Sequence, residues 1–146
     1  MKVIVQKVLS ASCTVNDKIT GKINHGYMLL VGFTHTDTME NVNKMAKKIV
    51  GLRIFEDENG KMNLDIKSVN GEILSISQFT VYGDCNKGNR PSFVNSMRPE
   101  FAEDLYLKFN EVLRQEYDMH VETGIFGAHM ILDPVCDGPV TIELEF

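Results

Sequence analysis

Polar side chains are crowded at the end of a mainly apolar run near the middle of the chain. The apolar residues Ile73, Leu74 and Ile76 are interrupted or followed by the polar residues Ser75, Ser77, Gln78 and Thr80, with Phe79 among them. Hydroxyl and amide groups, together with neighbouring backbone N–H groups, can bind a carbonyl and stabilise the oxyanion that forms when it is attacked. The segment therefore predicts a shallow catalytic site for carbonyl chemistry, although hydroxyls at a strand end are also commonly satisfied by the backbone.

Thr80 is the residue of this segment that could act as a nucleophile. A neutral threonine hydroxyl attacks poorly unless a base removes its proton. No neighbour of Thr80 in the sequence is an obvious base. The residues alone are compatible with a nucleophilic role and with a positioning role.

Two further segments contain residue types that suit a ligand site. In Gly124-Ile125-Phe126-Gly127-Ala128 the glycines allow a backbone to approach a flat ligand, and Phe126 could stack on a base, but a turn with one buried phenylalanine fits equally well. In Asp137-Gly138-Pro139 the bond before proline adopts the cis form at low cost, which would present two carbonyls side by side. The frequencies of the two forms favour an ordinary trans turn at this position.

Signatures of metal and cofactor chemistry are missing from the sequence. There is no GxSxG, HExxH or HxE…PCxxC pattern, and the four histidines are not at ligand spacing. The cysteines, Cys13, Cys85 and Cys136, form no CxxC pair and are interpreted as reduced thiols. Residues 83–90 match only the glycines of a phosphate-binding loop. We therefore expect neither a metal nor a cofactor.

Hydrophobic periodicity predicts more strands than helices. Apolar patterns predict strands near 3–7, 11–15, 19–23, 27–33, 72–79, 119–122, 130–132 and 140–144. Apolar residues at helical spacing predict two helices, one starting with a capping box of Asp37 and Glu40 and one starting at Pro99. We predict an α+β fold with a curled, barrel-like, mostly antiparallel or mixed sheet and two main helices packed outside it. Residues 1–146 are expected to form a single domain.

The charge of the chain limits its partners. Its net charge of −5 argues against a broad basic face for nucleic acid, whereas a local cluster of Lys87, Arg90 and Arg98 could bind a few phosphates at the end of an RNA. Charge alone favours the alternative that these three cations are ordinary solvated side chains. The chain has no apolar run of membrane-spanning length, and its first residues do not form a signal peptide. We expect a cytoplasmic protein with neither DNA nor a membrane as its partner.

Four segments, in the same order, resemble the D-aminoacyl-tRNA deacylase family. These segments are residues 77–84, 89–93, 124–128 and 137–141, and the likeness extends over essentially the whole chain. The resemblance implies an enzyme that hydrolyses the ester bond of D-aminoacyl-tRNA and recognises the aminoacyl-adenosine end of the acceptor strand. It also implies a homodimer with its active sites at the subunit interface.

The resemblance assigns roles to these segments. The catalytic floor of the site would be formed by Ser77, Gln78, Phe79 and Thr80. The place of the terminal adenosine would be lined by Phe126, Gly127, Ala128 and Met130. Gly138 and Pro139, joined by a cis bond, would enter the partner's site and reject L-aminoacyl groups sterically, which would also admit glycine.

Two positions depart from the usual pattern of the family. His129 stands where an acidic residue is common, and Cys136 stands where asparagine is common. These departures bear on loop structure and rate rather than on the class of reaction. Two alternatives make different predictions: a small D-amino acid esterase would cleave free esters as fast as charged tRNA, and a non-catalytic dimer that binds tRNA ends would release no amino acid.

Overall fold

The computed structural model describes residues 1–146, which form eight strands and two α-helices. The strands are β1 (Lys2–Val15), β2 (Lys18–Ile23), β3 (Gly26–Gly32), β4 (Phe55–Glu56), β5 (Met62–Leu64), β6 (Glu72–Ser77), β7 (Val121–Thr123) and β8 (Ile131–Glu145). The helices are α1 (Met39–Val50) and α2 (Pro99–Gln115). One turn of 3₁₀ helix, Phe79–Tyr82, follows β6.

Six of the strands form one curled, mixed sheet. Its order is β2-β1-β3-β6-β7, and β8 pairs with β1, while β4 and β5 form a separate hairpin. β1 is antiparallel to its three partners, whereas β6 is parallel to both β3 and β7. The sheet nearly closes on itself because β2 returns to β7: a Cβ on Gly21 would lie 2.6 Å from the carbonyl oxygen of Thr123. The predicted barrel-like α+β fold is confirmed.

Several predicted strand limits are wrong, because strand pairing overrides local breaks in the apolar pattern. The segments 3–7 and 11–15 belong to the single 14-residue strand β1, along which β8 pairs over most of its length. The segments 130–132 and 140–144 are likewise parts of β8. The strand predicted over 72–79 ends at Ser77, because the chain then turns into the 3₁₀ helix.

The two helices pack together and bury their apolar faces in the main core. Their largest buried contributions are Met45 and Ile49 from α1 and Tyr106, Phe109 and Leu113 from α2. Full burial of one large apolar side chain contributes about 1.5–3 kcal/mol. β3 also lies in this core and is buried on both faces, as its continuous apolar run predicts. Neither helix combines the length and apolar character needed to cross a membrane.

The capping box of α1 has different members from those predicted. Thr38 is the N-cap, and its hydroxyl accepts a hydrogen bond from the N–H of Glu40 at 3.3 Å. The side chain of Asn41 closes the box by accepting from the N–H of Thr38 at 2.9 Å. Asp37 does not cap the helix because its buried carboxylate accepts from the N–H of Thr34 at 2.8 Å. Pro99 is the first residue of α2, as predicted.

Candidate functional site

A cavity of about 650 Å³ lies where the parallel strands β3 and β6 end. Its volume is within the range of roughly 300–1,000 Å³ that is typical of small-molecule sites. Seven of the predicted site residues line it: Ser77, Gln78, Phe79, Phe126, Gly127, Ala128 and Met130. The structure therefore brings together two segments that are far apart in the sequence.

Much of the cavity wall consists of residues that no pattern in the sequence indicates. The additional lining residues include Val31, Gly32, Phe33, Phe93, Ser96, Met97, Pro99 and Ala102. Most of them come from the end of β3 and from the start of α2, and no local pattern indicates that these two places meet. Of the three cations predicted to cluster, Arg98 lines the cavity, whereas Lys87 and Arg90 do not.

The turn after β6 forms the polar part of the cavity. It lies tight against β3: the N–H of Gln78 donates to the carbonyl oxygen of Val31 at 2.7 Å, and a Cβ on Gly32 would lie 2.9 Å from the carbonyl oxygen of Gln78. Phe79 and Thr80 begin the 3₁₀ helix, and the backbone N–H groups in a first helical turn have no acceptor within the helix. The turn thus offers two neighbouring donors that suit a developing oxyanion.

Thr80 lies beside the cavity rather than in its wall. The residue is exposed, and its Oγ1 accepts a hydrogen bond from the side-chain amide of Gln78. The hydroxyl has no hydrogen bond to a carboxylate or an imidazole that would remove its proton. An accepted hydrogen bond lowers the electron density on Oγ1, so this geometry favours a positioning role over nucleophilic attack.

A hydrogen bond from α2 fixes the strand beneath the site. The hydroxyl of Tyr106 donates to the backbone carbonyl of Ser75 at 2.7 Å, and the ring of Tyr106 lies 5.9 Å from that of Phe126 between centroids. Burial raises the pKa of Tyr106, so the hydroxyl keeps the proton that it donates. Ser75 itself is fully buried and lies outside the cavity wall. Tyr106 therefore links β6 to the turn that carries Phe126.

Replacing Tyr106 with phenylalanine should lower the free energy of unfolding by about 0.5–1.5 kcal/mol, because the buried carbonyl of Ser75 loses a hydrogen bond of 2.7 Å and keeps the longer one of 3.4 Å from the N–H of Gly124. Urea unfolding followed by circular dichroism measures this loss. Tyr117→Phe is the matched control, because the hydroxyl of this half-buried tyrosine has no hydrogen bond in the structure. An equal loss in both variants would contradict the assigned bond.

The turn that carries Phe126 is held by close packing. A Cβ on Gly124 would lie 2.4 Å from Sδ of Met130, so the side chain of Met130 packs directly against the backbone of Gly124. Gly127 has φ +72°, and the N–H of Ala128 donates to the carbonyl oxygen of Ile125 at 3.2 Å. Ala128 and Met130 also pack against a smaller core beneath the cavity. The turn therefore presents Phe126 to the cavity in a fixed position.

Gly138 and Pro139 do not line the cavity of their own chain. Both residues are exposed, and the peptide bond between them is cis. They interrupt the regular pairing of β8 with β1, and at this irregularity the register shifts between Gln6 and Val8. The side chain of Gln6 donates to the carbonyl oxygen of Val140 at 3.2 Å and so bridges the irregularity. We call residues 137–139 the selection loop, after the role that is proposed for them below.

An ion pair between a buried lysine and a partly exposed aspartate anchors the selection loop. Lys7 is only 5% exposed, and its Nζ lies 3.0 Å from the carboxylate of Asp137. A buried ammonium group is costly unless it is paired, so Lys7 holds Asp137 in place next to Gly138. No pattern in the sequence indicates this role, because the two partners are far apart along the chain.

The two positions that depart from the family pattern lie close to the site. His129 lines the cavity next to Ala128. Cys136 is an exposed free thiol that directly precedes the selection loop and faces Val8 of β1 in the strand register. Both departures therefore fall where they can affect substrate contact or loop position.

An apolar cavity bordered by a turn with free backbone donors, set at the strand ends of a barrel-like sheet, suits an enzyme that acts on a carbonyl group. Comparison with known proteins identifies the enzyme family. The family described as D-Tyr-tRNA(Tyr) deacylase matches residues 4–145, and the chain belongs to this family. The resemblance found in the sequence is thereby confirmed.

Two curated relatives are similar over nearly their full lengths. A D-aminoacyl-tRNA deacylase from Exiguobacterium sp. is 56% identical over 145 residues, covering 99% of this chain and 98% of the relative. One from Bacillus cytotoxicus is 54% identical over 145 residues, covering 99% of both chains.

Two solved structures share the fold. A protein described as c-Myc DNA Unwinding Element Binding Protein superposes with a TM-score of 0.95 at 42% identity, covering 100% of this chain and 99% of that one. A probable eukaryotic D-amino acid tRNA deacylase superposes with a TM-score of 0.84 at 19% identity, covering 98% and 97%. The second likeness concerns the fold alone.

Proposed function

We propose that the protein hydrolyses the ester bond of D-aminoacyl-tRNA and releases a free D-amino acid and tRNA. One observation carries this proposal: a single cavity is lined both by residues 77–79 and by the turn that contains Phe126. The chain that forms this cavity belongs to the D-Tyr-tRNA(Tyr) deacylase family. We further propose that residues 1–146 act as one domain and work in the cytoplasm, where tRNA is charged.

In this proposal the terminal adenosine binds against Phe126, Gly127, Ala128 and Met130. The aromatic ring offers a face for the base, and base–aromatic stacking contributes about 1–3 kcal/mol. The ester carbonyl then lies at the turn after β6, where the N–H groups of Phe79 and Thr80 bind the oxyanion. Each such donor typically contributes about 2.7–4 kcal/mol to the transition state.

Chiral selection is assigned to the selection loop of a second subunit. The carbonyls of Gly138 and Pro139 would hold the α-amino group, so that a D side chain points to solvent and an L side chain meets the loop. The exposure of the loop and its absence from its own cavity support this assignment. Because rejection depends on a side chain being present, we also propose that glycyl-tRNA is a substrate.

The homodimer that this requires is supported by the free edge of β8. The strand pairs only with β1 and exposes Ile131 (61%) and Val135 (49%). An unpaired edge strand with exposed apolar side chains is a surface that a second chain commonly covers.

The experiment that tests the function compares purified protein on D-tyrosyl-tRNA and L-tyrosyl-tRNA. We expect rapid release of D-tyrosine and little release of L-tyrosine. Equal cleavage of the free ethyl ester of D-tyrosine would favour the small-esterase alternative, and tRNA binding without release would favour the non-catalytic dimer. The net charge of −5 gives no support to binding of duplex DNA.

We propose water as the nucleophile, assisted by the 2′-hydroxyl of the terminal ribose. A tRNA that ends in 2′-deoxyadenosine and carries D-tyrosine on its 3′-oxygen tests this step. Its cleavage should be much slower than that of the ribose substrate. Undiminished cleavage would exclude the assisted route.

Replacing Thr80 with alanine should lower kcat about tenfold, which corresponds to the loss of one hydrogen bond that positions Gln78. Thr80→Ser, which keeps the hydroxyl, should retain most of the rate. Single-turnover kinetics on D-tyrosyl-tRNA measures both variants. Complete loss of turnover in Thr80→Ala, together with a trapped acyl-enzyme in the unmodified protein, would establish Thr80 as the nucleophile instead.

A further inference from the structure

A second cavity, of about 450 Å³, adjoins the first at the start of α2. Met97 and Arg98 line both cavities. The other residues that line the second cavity are His35, Asp37, Phe101, Asp104 and Leu105. None of them was assigned a role in binding the aminoacyl-adenosine end.

Arg98 is the only charged side chain of the second cavity that has no ion-pair partner in this chain. Asp104 pairs with Lys108 at 2.6 Å, and the carboxylate of Asp37 is held by the N–H of Thr34 and by the amino group of Met1. Arg98 forms no ion pair, and it lines both cavities. Arg98 is therefore the side chain of this cavity that is free to pair with a phosphate.

An aromatic ring lies exposed in the same cavity. Phe101 is 60% exposed, although it occupies the first turn of α2 beside an otherwise well-buried helix face. The ring of His35 is fixed nearby by a hydrogen bond of 2.8 Å to the carbonyl of Val94. An exposed aromatic ring next to a free guanidinium group is the combination that binds single-stranded nucleic acid.

We propose that the second cavity binds the unpaired nucleotide that precedes the terminal adenosine. Its base stacks on Phe101, and the phosphate that joins it to the adenosine pairs with Arg98. The position of Arg98 between the cavities matches the position of that phosphate between the two nucleosides. The inference rests on the proposed function, because it takes the first cavity as the adenosine site.

Binding of adenosine and of the dinucleoside phosphate CpA, measured by calorimetry, tests the inference without any catalytic step. We expect the unmodified protein to bind CpA about tenfold more tightly than adenosine, within the range for one stacked base. In Phe101→Ala and in Arg98→Gln the ratio of the two dissociation constants should fall towards one. Leu107→Ala is the matched control, because Leu107 is also on α2, is 59% exposed and lies outside both cavities.

Equal affinities for CpA and adenosine in the unmodified protein would overturn the inference, as would a CpA preference that persists in Phe101→Ala. Thermal melting of each variant checks that it is folded. Hydrolysis of D-tyrosyl-tRNA is measured separately, so failure of the proposed function appears as absent turnover. Failure of the second-cavity inference appears only in the CpA-to-adenosine ratio.

Discussion

Replacing Gly32 with alanine should lower kcat on D-tyrosyl-tRNA about a hundredfold, the lower end of the loss seen when an oxyanion donor is removed. The added Cβ would lie 2.3 Å from Cγ2 of Val81 and 2.9 Å from the carbonyl oxygen of Gln78. Neither contact is possible without movement of the turn after β6. That movement displaces the N–H groups of Phe79 and Thr80 from the ester carbonyl.

Single-turnover hydrolysis at saturating protein separates this effect from weaker binding. Gly51→Ala is a suitable control, because Gly51 ends α1 with φ −87°, away from the cavity, and the added Cβ would lie 3.3 Å from its nearest neighbour. We expect the control to keep the unmodified rate. If the folded Gly32→Ala variant hydrolyses the substrate at the unmodified rate, the turn after β6 does not supply the hydrogen-bond donors for the oxyanion.

Replacing Gly138 with alanine should reduce the preference for D-tyrosyl-tRNA over L-tyrosyl-tRNA at least tenfold. Gly138 has φ +115°, and an added Cβ would lie 2.7 Å from Cγ2 and 2.8 Å from the backbone nitrogen of Val140. The selection loop must therefore shift, and displacement of a positioning element by about 1 Å can cost on the order of a hundredfold in rate.

The ratio of kcat/KM for the two charged tRNAs measures this preference directly. Gly60→Ala is the control: Gly60 also has a positive φ, of +70°, but an added Cβ would meet nothing within 4 Å. The Gly60→Ala variant therefore introduces backbone strain without moving the selection loop. An unchanged ratio in Gly138→Ala would remove the loop from chiral selection.

Local sequence signals predicted those parts of the site that lie within single segments. The polar residues 77–80 and the glycine-flanked Phe126 each stand out from their neighbours, and both segments contribute to the cavity. The continuous apolar run of β3 likewise predicted a strand buried on both faces. In these cases the chemistry of a few consecutive residues is sufficient to predict the local structure or the contribution to the site.

Features that depend on distant contacts could not be predicted in the same way. Lys7 lies on the same side of β1 as Val3 and Val5, and its charge is tolerated in that buried position because Asp137 pairs with it. Asp37 suits a helix cap, but its carboxylate is drawn inward by the distant amino group of Met1, as well as by the N–H of Thr34, and leaves the cap to Thr38. Both outcomes were decided by partners that only folding brings near.

The selection loop and the cavity occupy separate places on one chain. If a two-fold dimer joins each cavity to the other copy's loop, then a protein defective in one part can be complemented by a protein defective in the other. Unfolding and refolding equal amounts of Gly32→Ala and Gly138→Ala together should restore about a quarter of the sites to full competence, all of them in mixed dimers. Neither variant refolded alone would contain such a site.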